Sequence, residues 1–204
     1  MTDSPIDPVK LDRLAEVAIR VGLNLQPGQD LLLTAPTAAL PFVRRLAVHA
    51  YKAGAGLVTP IFSDEEITLA RFQNAREDSF DRAPGWLYNG MAAAFDANTA
   101  RMAVVGDNPM MLSAENPDHV ARANKATSLA YRPALSKISG FDINWNLTAY
   151  PNPAWARQMF PDLDANAATA KLAEAIFAAS RIDGDDPVAN WAAHNANLRR
   201  RTQW

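Results

Sequence analysis

Three histidines, His49, His119 and His194, are the side chains best suited to bind a metal or to act as a general base. Metal centres built from histidine usually hold two of them at close spacing, as in a His-Glu-x-x-His helix. None of the three belongs to such a helix, and none has a second histidine within ligand spacing. The sequence therefore predicts structural or surface histidines and no metal ligand in this chain.

Other short motifs that carry chemistry are incomplete. The run Asp183–Asp186 resembles part of a calcium loop but lacks the required ligand spacing and the distal glutamate. We interpret it as two helix ends, with Gly184 ending one helix and the last aspartate capping a helix that begins at Pro187. No glycine-rich nucleotide loop and no Gly-x-Ser-x-Gly elbow occurs. Glu65 and Glu66 are adjacent, so they diverge on a helix and form no catalytic pair; their expected role is to stabilise the helix dipole.

Four residues remain whose predicted positions suit a binding site. Asp107 and Asn108 follow a predicted strand, whereas Asn144 and Trp145 lie in a predicted strand with one polar face. In open α/β sheets, ligands usually bind outside the carboxyl ends of the strands. We predict that these four residues face a substrate, and an ordinary structural role is the alternative for each.

The positions of these residues depend on an alternation of helices and strands. Apolar periodicity and capping residues predict helices over 8–22, 41–54, 64–75, 84–95 and 117–136, the last interrupted near Pro133. Short apolar runs predict strands over 30–35, 57–62, 101–106 and 141–148, and the last alternates an apolar with a polar face. This alternation predicts an α/β fold, a mostly parallel sheet with helices on both faces in a Rossmann-like three-layer arrangement.

The stretch Asn144–Pro161 concentrates aromatic residues and prolines and predicts a fixed junction with a short helix over 154–160. It is either a buried aromatic corner or a corner that also faces a binding site or a second domain. Further helices are predicted over 164–180 and from 187 onward. We therefore divide the chain into an α/β domain, 1–161, and a helical segment, 162–204. Since the last helix runs to Trp204 without a polar tail, we expect this segment to lead to a further domain absent from the chain.

The composition selects no partner by bulk charge. The 204 residues include 20 Lys and Arg against 22 Asp and Glu, for a formal net charge of -2. We therefore predict no nucleic-acid partner and no membrane partner. The chain has no cysteine, which excludes disulfides and thiolate chemistry and fits a reducing compartment. The start shows no basic and apolar leader, and no apolar run is long enough to span a bilayer, so we predict a cytoplasmic protein.

Segments along nearly the whole chain resemble, in their order, the aminopeptidase T family of two-metal exopeptidases, which includes aminopeptidase S. Each segment is short, and the combination is what makes the resemblance specific. The matching segments are Leu14–Ala18, Gly22–Gln29, Tyr51–Ala55, Trp145–Leu147 with Tyr150–Pro151, Trp155–Ala156 with Met159–Pro161, and Arg181–Val188 with Trp191, His194 and Leu198.

The resemblance implies a parent protein that is a metalloaminopeptidase, releasing amino-terminal residues from peptides with two divalent metal ions, zinc, cobalt or manganese. In that family the metal ligands lie in a second domain, so no metal ligand and no catalytic residue can be assigned to this chain, which by itself is expected to be inactive. The first domain would shape access to the metal site, bind part of the peptide or support a homodimer. The alternative is a stand-alone, non-catalytic α/β binding or interaction module.

Overall fold

The computed structural model describes residues 4–184 and 186–202. Its helices are α1 (Pro8–Val17), α2 (Leu40–Lys52), α3 (Glu65–Asn74), α4 (Gly85–Asp96), α5 (Pro117–Ser139), α6 (Pro153–Met159), α7 (Ala165–Ala179) and α8 (Pro187–Thr202). Its strands are β1 (Leu31–Pro36), β2 (Val58–Ser63), β3 (Ala100–Val105) and β4 (Trp145–Ala149). Short helical turns span Ala18–Leu23, Thr37–Ala39 and Glu77–Asp81.

The four strands form one parallel sheet in the order β2-β1-β3-β4. On one face, Leu31 and Leu33 of β1 pack with α1, α2 and α7, including Phe42 and Phe177. On the other face, Leu32 packs with residues of α4 and α5, namely Met91, Phe95, Ala134 and Ile138. Helices therefore cover both faces, which confirms the predicted α/β class and its three layers. Helix α7 shares the first of these cores with α1 and α2. The domain boundary at residue 161 stays a prediction, as does the expectation that the last helices lead to a further domain.

The first helix changes geometry where it approaches β4. Asp7 caps α1 by accepting hydrogen bonds from the main-chain N–H groups of Val9 and Lys10. The chain then continues as a π-helical turn over Ala18–Leu23 instead of an α-helix to Gly22. A β-carbon on Gly22 would lie 1.9 Å from the Asn146 side-chain nitrogen, so glycine allows this wider turn to touch β4.

The predicted interruption of the fifth helix near Pro133 is wrong, because α5 runs unbroken through it. A proline in a helix removes one N–H donor and leaves the carbonyl four residues earlier without a partner in the helix. In α5 the affected carbonyl is that of Leu129. Because Leu129 and Pro133 are both exposed, water can donate a hydrogen bond to this carbonyl. The buried side chains of Ala134 and Ile138 hold the following turns against α4.

The predicted fourth strand begins later than its alternation indicates. Phe141 has a positive φ of 58°, which turns the chain before β4 starts at Trp145. The burial of the β4 side chains also differs from the expected pattern, in which the apolar side chains are buried and the polar ones exposed. Thr148 is buried, whereas Trp145 is 37% and Leu147 55% exposed.

The segment around Asp183 joins two helices, as predicted, but the first of them ends at Ala179 and not at Gly184. Gly184 has a positive φ of 99° within the connection. The Asp186 carboxylate accepts a hydrogen bond of 2.9 Å from the N–H of Ala189 and so caps α8. Asp185 and Trp204, which the sequence analysis also considered, lie outside the described residues.

Candidate functional site

The carboxyl ends of the four parallel strands lie at the same end of the sheet, which we call the carboxyl edge. In the order β2-β1-β3-β4, the chain leaves β1 toward β2 on one side and later returns to β3 on the other. Such a change of direction opens a crevice outside the strand ends, where ligands bind in open α/β sheets. The segments that follow the four strands supply the side chains of this edge.

Glu65, the first residue of α3, connects these loops. Its carboxylate oxygen Oε1 accepts a hydrogen bond of 2.7 Å from the main-chain N–H of Asn108, which follows β3. The same oxygen accepts a bond of 3.0 Å from the side-chain amide of Asn152, which follows β4. Asn152 is buried, and its own carbonyl oxygen caps α6 through the N–H of Ala154. Glu65 therefore fixes the positions of two loops relative to α3.

Asp64 fixes a third loop on the same edge. Its carboxylate accepts hydrogen bonds from the Thr37 hydroxyl, at 2.7 Å, and from the N–H groups of Glu66 and Ile67. The bond from Thr37, followed by that from Ile67, lowers the pKa of Asp64. The carboxylate is therefore ionised at neutral pH and stabilises the positive end of α3.

A cavity of about 290 Å³ opens beside these loops. It is lined by Val105, Gly106, Pro109, the exposed residue Asp107 and the half-buried residue Trp155. Gly106 is required here, since a β-carbon at this position would lie 2.0 Å from the carbonyl oxygen of Tyr150. An anionic group and an indole ring around a small cavity can bind a cationic or amphipathic group.

The predicted site residues lie at opposite edges of the sheet. Asp107 and Asn108 are at the carboxyl edge described above, whereas Asn144 and Trp145 are at the amino edge, where β4 begins. The structure therefore does not bring the two pairs together. That these four residues face a substrate stays a prediction.

Asn144 makes structural contacts at the amino edge. Its amide exchanges hydrogen bonds with the buried amide of Gln29, at 2.7 and 3.1 Å, and donates to the carbonyl of Leu23 at 2.9 Å. The ring of Trp145 lies 6.4 Å from that of Phe141. These contacts tie the start of β4 to the π-helical turn and to the residues before β1.

Sequence reasoning did not assign Glu65, Asn152 or Trp155 to the carboxyl edge. Asn152 and Trp155 do lie in the stretch Asn144–Pro161, for which a corner facing a binding site is one of the two interpretations. From the sequence, Glu65 has only a helix-dipole role, and no role is predicted for Asn152. Both follow directly after a strand, which is the signal that could have identified them. Which loops they connect depends on the strand order, and the sequence does not supply that order.

The histidines lie apart from one another. The imidazole of His49 lies 3.2 Å from the Asp12 carboxylate, and that of His119 lies 3.0 Å from Glu77. Among residues 4–184 and 186–202, no three His, Asp or Glu side chains are close enough together to hold a metal ion. These ranges therefore offer no site for the two metal ions, which the sequence resemblance assigns to a second domain. No helix in the same ranges is long and apolar enough to cross a membrane.

Comparison with known proteins gives a consistent result over nearly the whole chain. The family model described as thermophilic metalloprotease (M29) matches residues 8–204. Aminopeptidase T of Thermus thermophilus is 47% identical over 95% of this chain and 48% of its own length. Aminopeptidase 2 of Geobacillus stearothermophilus is 39% identical over 94% of this chain and 46% of its own length.

A solved structure agrees with these sequence relatives. Wild-type AmpT from Thermus thermophilus superposes with a TM-score of 0.86 at 46% sequence identity, covering 93% of this chain and 46% of that one. The chain thus spans about half the length of the curated relatives that it matches.

Proposed function

Because this chain belongs to the thermophilic metalloprotease family, we propose that it forms the first half of a metal-dependent aminopeptidase that releases amino-terminal residues from peptides. The observation that carries the proposal is the family match over residues 8–204, together with 47% identity to an aminopeptidase T. The metal ions, zinc, cobalt or manganese, would be held by the part of the relatives that has no counterpart here. The active form would be a cytoplasmic homodimer.

In this proposal the present half shapes access to the catalytic site. Its carboxyl edge offers a carboxylate at Asp107 and an indole ring at Trp155, around a cavity of about 290 Å³. The bonds of Glu65 to Asn108 and Asn152 hold the loops of this edge in place. A preformed edge of this kind guides a peptide without taking part in bond cleavage.

The first experiment measures the activity of the full-length natural protein. We expect it to release leucine from leucine p-nitroanilide and from leucyl-glycyl-glycine when zinc, cobalt or manganese is supplied, and to lose this activity in EDTA. The 204-residue chain alone should release none. Absence of metal-dependent release by the full-length protein would reject the proposal and favour a non-catalytic binding module.

A second experiment tests the role of the carboxyl edge. Asp107→Asn in the full-length protein should raise the KM for leucyl-glycyl-glycine by about 2- to 5-fold, the effect of one exposed charge interaction, and leave kcat for leucine p-nitroanilide unchanged. Asp162→Asn is the matched control, since Asp162 is exposed, lies before α7 and is not among the residues that line the cavity. Equal kinetics for the two variants would remove Asp107 from the substrate path.

A further inference from the structure

The two edge strands of the sheet differ in how their outer sides are protected. Parallel pairing with β1 leaves Val58, Pro60 and Phe62 of β2 with their main-chain groups directed outward. Pro60 has no N–H at this position, and the N–H of Val58 donates to the Tyr51 hydroxyl at 3.2 Å. Proline and side-chain cover are the usual devices that keep another strand from adding to an edge.

Among the residues that the structure describes, none protects the outer edge of β4 in this way. The N–H of Arg101 donates to the carbonyl of Asn144, and the N–H of Tyr150 donates to the carbonyl of Val105. This register directs the even-numbered residues of β4 toward β3 and leaves the main-chain groups of Trp145, Leu147 and Ala149 outward. Within the described ranges, no side chain and no loop hydrogen-bonds to these three residues.

The surroundings of this edge offer side-chain contacts on both sides. On the side of α5, the apolar groups of Trp145 and Leu147 are exposed, and Phe141, 79% exposed, lies against the indole. On the side of α1, a cleft of about 230 Å³ is lined by Val21, Asn146, Thr148 and Trp191 among others. Side chains of an added strand alternate between the two faces, so each face would receive every second one.

The charge of the edge indicates what kind of chain fits it. No Asp, Glu, Lys or Arg occurs between Asp142 and Arg157. An uncharged edge with alternating donors and acceptors is complementary to the uncharged main chain of an extended peptide, whatever its side chains.

We propose that the outer edge of β4 binds an extended peptide by strand addition, through the main-chain groups of Trp145, Leu147 and Ala149. The inference rests on the proposed function for the identity of the peptide as substrate. It assigns the main chain of the peptide to a site separate from the carboxyl edge. The flanking apolar groups and the 230 Å³ cleft would then add preference for apolar side chains at alternate positions.

The test uses the full-length natural protein, labelled with ²H and ¹⁵N and stripped of metal, titrated with the capped peptide acetyl-Thr-Val-Thr-Val-Thr-amide. The amide signals of Trp145, Leu147 and Ala149 should shift together, whereas those of Val58 and Phe62 in β2 should not. The same peptide, N-methylated on alternate residues so that one of its edges cannot donate, should bind at least about tenfold more weakly.

A pair of variants separates the main chain from the side chain. Leu147→Pro removes one outward N–H and leaves the β3 ladder intact, as Pro60 does in β2, and should weaken binding at least about tenfold. Leu147→Ala keeps the N–H and should bind within about threefold of the wild type. If the proline variant is unfolded by circular dichroism, the N-methylated peptide on the wild type decides the question.

Three results would overturn the proposal: equal binding of the N-methylated peptide, shifts confined to the carboxyl edge, or the same β4 shifts on raising the concentration of peptide-free protein. The last result would identify a second copy of the chain as the occupant. The readout involves neither metal nor hydrolysis. If the full-length protein is a metal-dependent peptidase but no peptide binds at β4, only strand addition is rejected. If a peptide binds at β4 but the full-length protein shows no metal-dependent activity, only the peptidase proposal is rejected.

Discussion

Replacing Glu65 with alanine removes the acceptor that two loops share at the carboxyl edge. The main-chain N–H of Asn108 and the amide of Asn152 both donate to this carboxylate, and Asn152 is only 7% exposed. A hydrogen bond to a charged group stabilises by about 1.5–3 kcal/mol, and partial exposure of Glu65 places each of these near the lower limit. We therefore expect Glu65→Ala to lower the free energy of unfolding by about 2–3 kcal/mol.

The assay is urea unfolding followed by circular dichroism, with a thermal scan in parallel. A loss of 2–3 kcal/mol in a chain of this length lowers Tm by about 4–12 °C. Glu65→Gln keeps an acceptor oxygen in place of the carboxylate and should lose about 1 kcal/mol. The matched control is Glu66→Ala, because Glu66 is the next residue in the same helical turn, is exposed, and should change stability by at most about 0.5 kcal/mol.

The comparison of the two alanine variants decides the role of Glu65. If Glu65→Ala and Glu66→Ala lower stability equally, the carboxylate acts only through the helix dipole. The loop connections would then contribute nothing to the fold, and the description of a preformed carboxyl edge would be refuted.

Two further predictions concern charge and glycine. Hydrogen bonds from Arg122 hold the pKa of Glu77 and of Asp81 below their ordinary values. Such carboxylates stabilise the fold at any pH above their unfolded-state pKa. Their contribution to the free energy of unfolding is lost as the pH falls through the folded-state pKa. The urea midpoint should therefore fall more steeply below about pH 5 in the wild type than in Arg122→Gln, and parallel curves would contradict this. Gly90→Ala, at an open position in α4, should stabilise by about 0.5–1 kcal/mol in urea unfolding, whereas Gly106→Ala, whose β-carbon would meet the Tyr150 carbonyl, should destabilise by about 1–3 kcal/mol. A stabilising Gly106→Ala would show that the chain there can move aside.

The sequence predicted the layers of the fold because helix caps and apolar periodicity are local signals. Asp7 before Pro8 marked the start of α1, and the run around Leu32 marked a strand buried on both faces. The prediction was wrong where tertiary packing overrides local preference. Pro133 remains inside α5 because neighbouring residues are anchored against α4, and β4 exposes Trp145 and Leu147 in spite of their apolar character.

The candidate site was predictable only in part. Asp107 and Asn108 follow an easily recognised strand, so their place at the carboxyl edge could be inferred without a structure. The connection from Glu65 to Asn152 joins residues far apart in sequence and depends on which strands are neighbours. No local pattern contains that information.

The strand order also affects how the chain folds. The sheet has two halves, β1 with β2 and β3 with β4. Pairing within the first half closes the chain segment from Leu31 to Val58, and pairing within the second closes the segment from Arg101 to Trp145. The pairing of β1 with β3 must instead close the longer segment from Leu31 to Ala100. Because the entropy of closing a loop rises with its length, the two halves should form early, and their docking along β1 and β3 should limit the folding rate. Substitutions at the β1–β3 contact, such as at Met102, should then slow folding, whereas those at the outer strands should mainly speed unfolding.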